Sequence, residues 1–239
     1  MPAATHHLDM KRYLPVMSMF LLCWFLKGQN NKLPLFSFKG EGGIQTSLSS
    51  EAFRNTFLGE FQTGGQFVVR LFHQFYSGVG FNYALFKTSK NFQFRVGNVV
   101  VPSDFFLRAH NFNITIGYFL PVEVDADKPH QFGCIEWRVG YGFNRFTNIP
   151  VNNNTVRLPM EFNSAFLQPH FSYTFMVEEN LGFGGYINYT LYTTTFNPKL
   201  AGLDYYVDYS RWKNNFNISW ITIGLHFHLY FIKVQKQFD

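Results

Sequence analysis

The run from Phe216 to Phe231 constrains the fold more than any other stretch. From Ile221 it reads Ile-Thr-Ile-Gly-Leu-His-Phe-His-Leu-Tyr-Phe. Ile221, Ile223, Leu225, Phe227, Leu229 and Phe231 are apolar, and Thr222, Gly224, His226, His228 and Tyr230 alternate with them. A period of two places all the apolar residues on one face of a strand. At ~3.3 Å per residue and a tilt of roughly 40°, the run covers about 25 Å, the height of the apolar band on a membrane-spanning barrel. An edge strand of a soluble sandwich has the same pattern, so the rest of the chain must decide.

Composition favours lipid. Of 239 residues, 20% are aromatic, with 31 Phe and 13 Tyr, and only 15% are charged, yet mean hydropathy is −0.09. A helical membrane protein would be far more apolar, and a soluble α/β enzyme would carry more charge and fewer Phe. Strands with one face in lipid and one polar face reconcile these values. The net charge of +5 comes from scattered basic residues with no Lys/Arg run. Nucleic acid is therefore not an expected partner, whereas an anionic membrane surface is.

The N-terminus reads as an export signal. Lys11-Arg12 precedes an apolar run from Tyr13 to Leu26, too short for a spanning helix, which needs about 20 residues. Residues 1–28 are read as a signal peptide, with the start possibly at Met10, and 29–239 as one barrel domain. With Cys23 removed, Cys134 is the remaining cysteine, so no internal disulfide is expected. No other long apolar run follows, so an exported chain of this kind is either soluble or a barrel.

Eight runs show strand periodicity: Leu35–Thr46, Phe61–Phe75, Gly78–Thr88, Leu107–Val124, His130–Phe146, Ala165–Glu178, Leu181–Thr195 and Phe216–Phe231. Short connections at Tyr76-Ser77, Asp125–Pro129 and Glu179-Asn180 alternate with long ones at 47–60, 89–106, 147–164 and 196–215. Short turns on one side and long loops on the other are the rhythm of an up-and-down outer-membrane barrel. The expected fold is therefore all-β: a closed antiparallel transmembrane β-barrel of eight strands, or ten if Phe92–Val101 forms its own hairpin. The last strand closes the sheet against the first, near Phe36–Ile44. Loops would be extracellular and both termini periplasmic.

Eight strands leave a lumen that side chains just fill. The inward faces carry Gly, Ser, Thr and Asn together with Lys39, Glu41, Arg70, Glu136, Arg138, His170, His226 and His228. Charges buried there must pair with one another, so these residues are expected to form a polar network that plugs the barrel. Phe75, Tyr76, Phe105, Phe106, Phe146, Phe183, Tyr192, Phe216 and Tyr230 lie near strand ends, where interface girdles form.

Two chemistries compete with this structural role. His226 and His228, with His170, offer metal donors, but packed, hydrogen-bonded lumen histidines account for them better. Ser172 beside His170 and Glu136 suggests a hydrolase, but Ser172 and His170 sit two apart on one strand and not on a nucleophile elbow. Gly140-x-Gly142 has no helix after it to make a phosphate loop. Asn-x-Ser/Thr matches at Asn113, Asn153, Asn188 and Asn217 fall mostly in strands and read as chance. No catalytic residue, metal or cofactor is expected.

Further cues are the Lys11-Arg12 leader ending near Gly28-Gln29, the Phe38-Lys39-Gly40-Glu41-Gly42-Gly43 strand, the Leu158-Pro159-Met160-Glu161 step and Ile223-Gly224-Leu225-His226-Phe227. In these the chain resembles the small outer-membrane β-barrels of OmpA-/OmpX-like architecture, and more closely the PorT-like barrels of Bacteroidota-type outer membranes. The resemblance implies outer-membrane lipid, the barrel-insertion machinery and an envelope or secretion-system protein as partners. It also implies a non-enzymatic role through extracellular loops or as a secretion accessory. A lipid-modifying enzyme and a narrow solute channel are the alternatives. One departure is the tail after the last strand, Lys233 to Asp239, where Phe238 is penultimate and not terminal.

Overall fold

The computed structural model describes residues 35–89, 94–96, 99–101, 105–121, 131–147, 160–178, 180–197 and 216–231. The expected leader with Cys23, the turn at 125–129, the loop stretches 149–154 and 204–212 and the tail from 233 lie outside these residues. The described elements are β1 (Phe36–Ser47), α1 (Glu51–Thr56), β2 (Phe57–Phe72), β3 (Phe75–Thr88), β4 (Phe94–Val96), β5 (Val99–Val101), β6 (Phe106–Pro121), β7 (Gln131–Thr147), β8 (Met160–Glu178), β9 (Leu181–Thr195) and β10 (Asn217–Tyr230).

Eight strands close into one antiparallel barrel in the order β1-β10-β9-β8-β7-β6-β3-β2, and β4 and β5 pair only with each other. The hairpin expected near 92–101 thus exists without adding strands to the wall. The seam closes as the sequence pattern requires, with Ser37 opposite Tyr230 and Ser47 opposite Trp220. Every strand of the wall has a partner on both sides, which leaves no open edge.

The period of two sets which face meets which solvent. Ile44, Ile223 and Leu225 are 70%, 63% and 74% exposed, while Lys39, Glu136 and Arg138 are at most 1% exposed. In water each large apolar side chain left outside would forgo about 1.5–3 kcal/mol of burial, a preference that a lipid surround satisfies. Along β7 the outward residues from Ile135 to Phe143 are all apolar, roughly 20 Å of height after tilt. The apolar face meets lipid and the polar face fills the lumen: the barrel is of the membrane-spanning kind. Among the described residues no helix is long and apolar enough to cross a membrane.

Two local expectations are corrected. The turn between β2 and β3 is His73-Gln74, not Tyr76-Ser77, and His73 has φ 47°. A tight antiparallel turn needs a left-handed residue, and His is among the non-glycine types that tolerate one. The shift carries Tyr76 into β3 on the inward parity of Asn82 and Ala84. The girdle is also smaller than expected. Phe75, Phe183 and Phe216 are on the outside, but Tyr76, Phe105, Phe146 and Tyr192 are buried inside. They stand on inward parity near strand ends, so they close the lumen instead of facing the interface.

Candidate functional site

Side chains fill the lumen in three layers. At the loop end α1 folds into the barrel mouth. Ser50 caps it, its Oγ accepting from the Phe53 backbone N–H, and Ala52, Phe53 and Thr56 are buried. Phe53 packs against Phe57, Phe86 and Phe196 with ring centroids 5.0, 5.6 and 5.3 Å away. Trp220 and Tyr192 complete this aromatic layer. At the turn end Tyr76, Phe119, Phe132, Val68 and Cys134 form a second apolar layer, with Met176 and Tyr230 against it.

Between them lies the charged layer. β1 and β7 are four places apart in the closed order and so face each other across the barrel. Lys39 and Glu41 project from β1, and Glu136 and Arg138 from β7, each pair two residues apart on the inward face. Arg138 grips Glu41 with a fork, Nη1 to Oε2 at 2.8 Å and Nη2 to Oε1 at 2.5 Å. Its Nε donates to Glu136 Oε2 at 2.8 Å. Lys39 Nζ donates to Glu136 Oε1 at 2.8 Å and to Ser172 Oγ at 2.9 Å, and lies 3.2 Å from His170 Nε2. The Tyr76 hydroxyl donates to Glu136 Oε1 at 2.8 Å. Two cations and two carboxylates cancel in formal charge, and both oxygens of each carboxylate are engaged. Such a group survives burial only when paired this completely.

A softer shell surrounds these ions. Gln168 donates through Nε2 to Thr190 at 2.6 Å, with Asn82 and Arg138 at 3.4 Å on its oxygen. The His170 ring stacks on Tyr186, centroids 5.2 Å apart. Gln62 accepts from Trp220 Nε1 and Thr222 Oγ1 at 3.1 and 3.0 Å, which ties the polar layer to the aromatic one.

Of the eight residues expected in the lumen network, Lys39, Glu41, Glu136, Arg138 and His170 converge in one cluster. His226 and His228 are buried in the lumen but bond elsewhere, to Thr174 Oγ1 and Ser37 Oγ, each at 2.8 Å. Arg70 departs from the expectation. It stands half-buried three residues before the β2–β3 turn and joins no ion pair among those of the cluster, because its row has already left the middle of the barrel. The plug helix and the two aromatic layers were not expected. Tyr76 could have been found by continuing the even-numbered row of β3 back through Gly80 and Gly78.

The expected chemistry maps onto this cluster differently. His226 and His228 do not share a site with His170. Instead Glu41, Glu136 and His170 bring donor atoms within 4.8 Å of one another, a metal-like spacing. The Lys39 ammonium lies among those atoms and, together with Arg138, supplies the positive charge there. Ser172 is fully buried, and its Oγ accepts from Lys39.

No family model and no curated protein matches the chain. Solved structures similar to it include the following three. Neisserial surface protein A has 12% identity over 82% of this chain and 97% of its own, with a TM-score of 0.49. The outer membrane protein OprG from Pseudomonas aeruginosa has 14% identity over 84% and 99%, with a TM-score of 0.45. Ail, the attachment invasion locus protein of Yersinia pestis, has 10% identity over 82% and 100%, with a TM-score of 0.39. At these values the likeness is loose, and the barrel assignment rests on the strand pairing itself.

Proposed function

We propose that the protein is an integral barrel of a bacterial outer membrane, with its lumen filled by side chains. In this reading it is non-enzymatic and acts through its loop end or as an accessory of envelope assembly or secretion. The observation that carries the reading is the filled lumen, with aromatic layers at both ends and a charge-balanced cluster between them. The long connections would face the cell exterior and both termini the periplasm. Lipid and the insertion machinery are its obligatory partners, and the PorT-like resemblance supports a secretion-system protein as a further one.

The alternatives find less support. A solute channel needs a path where Phe53, Phe57, Trp220 and Arg138 now pack. A hydrolase needs a reachable nucleophile, and Ser172 is buried with its oxygen held by Lys39.

Purified folded protein in a planar bilayer should give no stable conductance, and the membrane fraction should hold a heat-modifiable band. Steady, solute-sensitive conductance would overturn the plugged barrel. For the secretion role, a deletion strain should lose surface-exported proteins, and unchanged export would defeat it.

A further inference from the structure

The outer wall at the loop end carries a charge arrangement that the lumen cluster does not explain. Arg108 on β6 and Arg145 on β7 stand directly opposite each other in the register, and both are exposed. Like charges placed directly across two strands repel and destabilise the pair. Among the described residues one carboxylate adjoins them: Glu161 on β8, opposite Arg145, its Oε1 3.8 Å from the Arg145 Nε. That distance is an ion pair without a hydrogen bond. Among the described residues two guanidiniums therefore stand beside one half-exposed carboxylate, which pairs with Arg145, and positive charge is left over. Around them is a cavity of about 270 Å³, also lined by His110, Asn163 and Phe143.

Position supplies the second half. On β6 the outward row runs Ile114, Phe112, His110, Arg108, and on β7 it runs Val139, Tyr141, Phe143, Arg145. The arginines thus stand where the apolar band ends. Directly below them, Phe112, Phe143 and Tyr141 make a connected aromatic patch, with centroids 6.1 and 5.3 Å apart along the pairs Phe112–Phe143 and Tyr141–Phe143. Their exposed faces would meet acyl chains. An anionic group at the cavity and hydrocarbon against the patch describe a single amphiphile.

We infer that this cavity holds the phosphorylated headgroup of a lipid from the leaflet at the loop end. Arginine's fork of N–H donors fits phosphate oxygens two at a time. A phosphate between Arg108 and Arg145 turns their repulsion into a shared attraction. The aromatic patch below selects a lipid over a free anion, because a soluble phosphate would gain nothing from it. This site rests on the membrane-spanning reading of the barrel.

The test uses the full chain, folded in neutral detergent, with lipid binding followed by native mass spectrometry. The probes are phosphatidylglycerol, phosphorylated lipid A, dephosphorylated lipid A, diacylglycerol and inorganic phosphate. Both phosphorylated lipids should bind above their phosphate-free counterparts, and the tighter of the two names the headgroup. Arg108→Gln and Arg145→Gln should each weaken that binding about tenfold, the worth of a charge-assisted hydrogen bond. Arg108→Lys with Arg145→Lys should recover part of it, since charge returns without the fork. Arg54→Gln, on α1 away from the cavity, removes the same charge and should leave binding unchanged. Equal binding of the phosphate-free lipids, an equal loss in Arg54→Gln, or inorganic phosphate binding as tightly as the lipids would each overturn the site. Heat-modifiable mobility and insertion into vesicles are read on every variant. Failure of the native chain to insert would overturn the membrane reading, and inserted protein with unaltered lipid binding would overturn the site alone.

Discussion

Arg138 is the residue on which the lumen charges depend. It touches both carboxylates of the cluster, so its loss leaves Lys39 as the one cation there against two buried carboxylates. Breaking a buried pair this way costs about 3–5 kcal/mol. Arg138→Leu should lower the stability of the folded barrel by at least that amount in urea titration. An unchanged midpoint would mean that the cluster is wet. His73 gives a test of opposite sign. Its left-handed backbone costs a side chain about 1–2 kcal/mol. His73→Gly should stabilise the β2–β3 hairpin or leave it unchanged, while His73→Val should destabilise it, both read in the same titration. At this scale the ion cluster was legible and the turn was not. Charged residues alternating with apolar ones announce the inward face directly. A two-residue turn flanked by aromatics offers no Gly, Asn or Asp to mark it, so Phe75 and Tyr76 read equally well as the end of one strand or the start of the next.

Among the elements, α1 is the clearest departure from a plain barrel. Its six residues are too few to be stable as a helix alone. It is held by its cap and by Phe53 inserted among Phe57, Phe86 and Phe196. Phe53→Ala should cost about 3–5 kcal/mol if the ring layer keeps its place. A much smaller loss would mean that the neighbouring rings collapse into the gap. The sequence pattern hid this element because 51–56 lies in a connection, where the strand period says nothing. It hid the aromatic layers for a related reason. Periodicity tells inside from outside along one strand, but the depth at which Phe86, Phe105 and Phe146 meet depends on the stagger between strands, which only the paired register shows. The strands themselves were legible: β9 starts and stops where its periodicity does.

For the whole molecule, the decisive claim is that the barrel is the reverse of a soluble one, apolar outward and polar inward. Two tryptophans report on it. Trp137 faces outward and is 44% exposed, while Trp220 is fully buried in the lumen. In vesicles of brominated lipid, a variant keeping only Trp137 should be strongly quenched and one keeping only Trp220 should not. Equal quenching, or none for Trp137, would contradict the orientation. The closed order also has a consequence in time. β1 is made first, yet its free edge waits for β10, and its Lys39 and Glu41 wait for Glu136 and Arg138 on β7. Its contacts are thus among the most distant in the chain, the kind that form slowly. Until the last strand is made, the earliest strand of the wall has only Lys39 and Glu41 to answer each other's charge and keeps an unpaired edge, so the first wall strand to be made is the last to be satisfied.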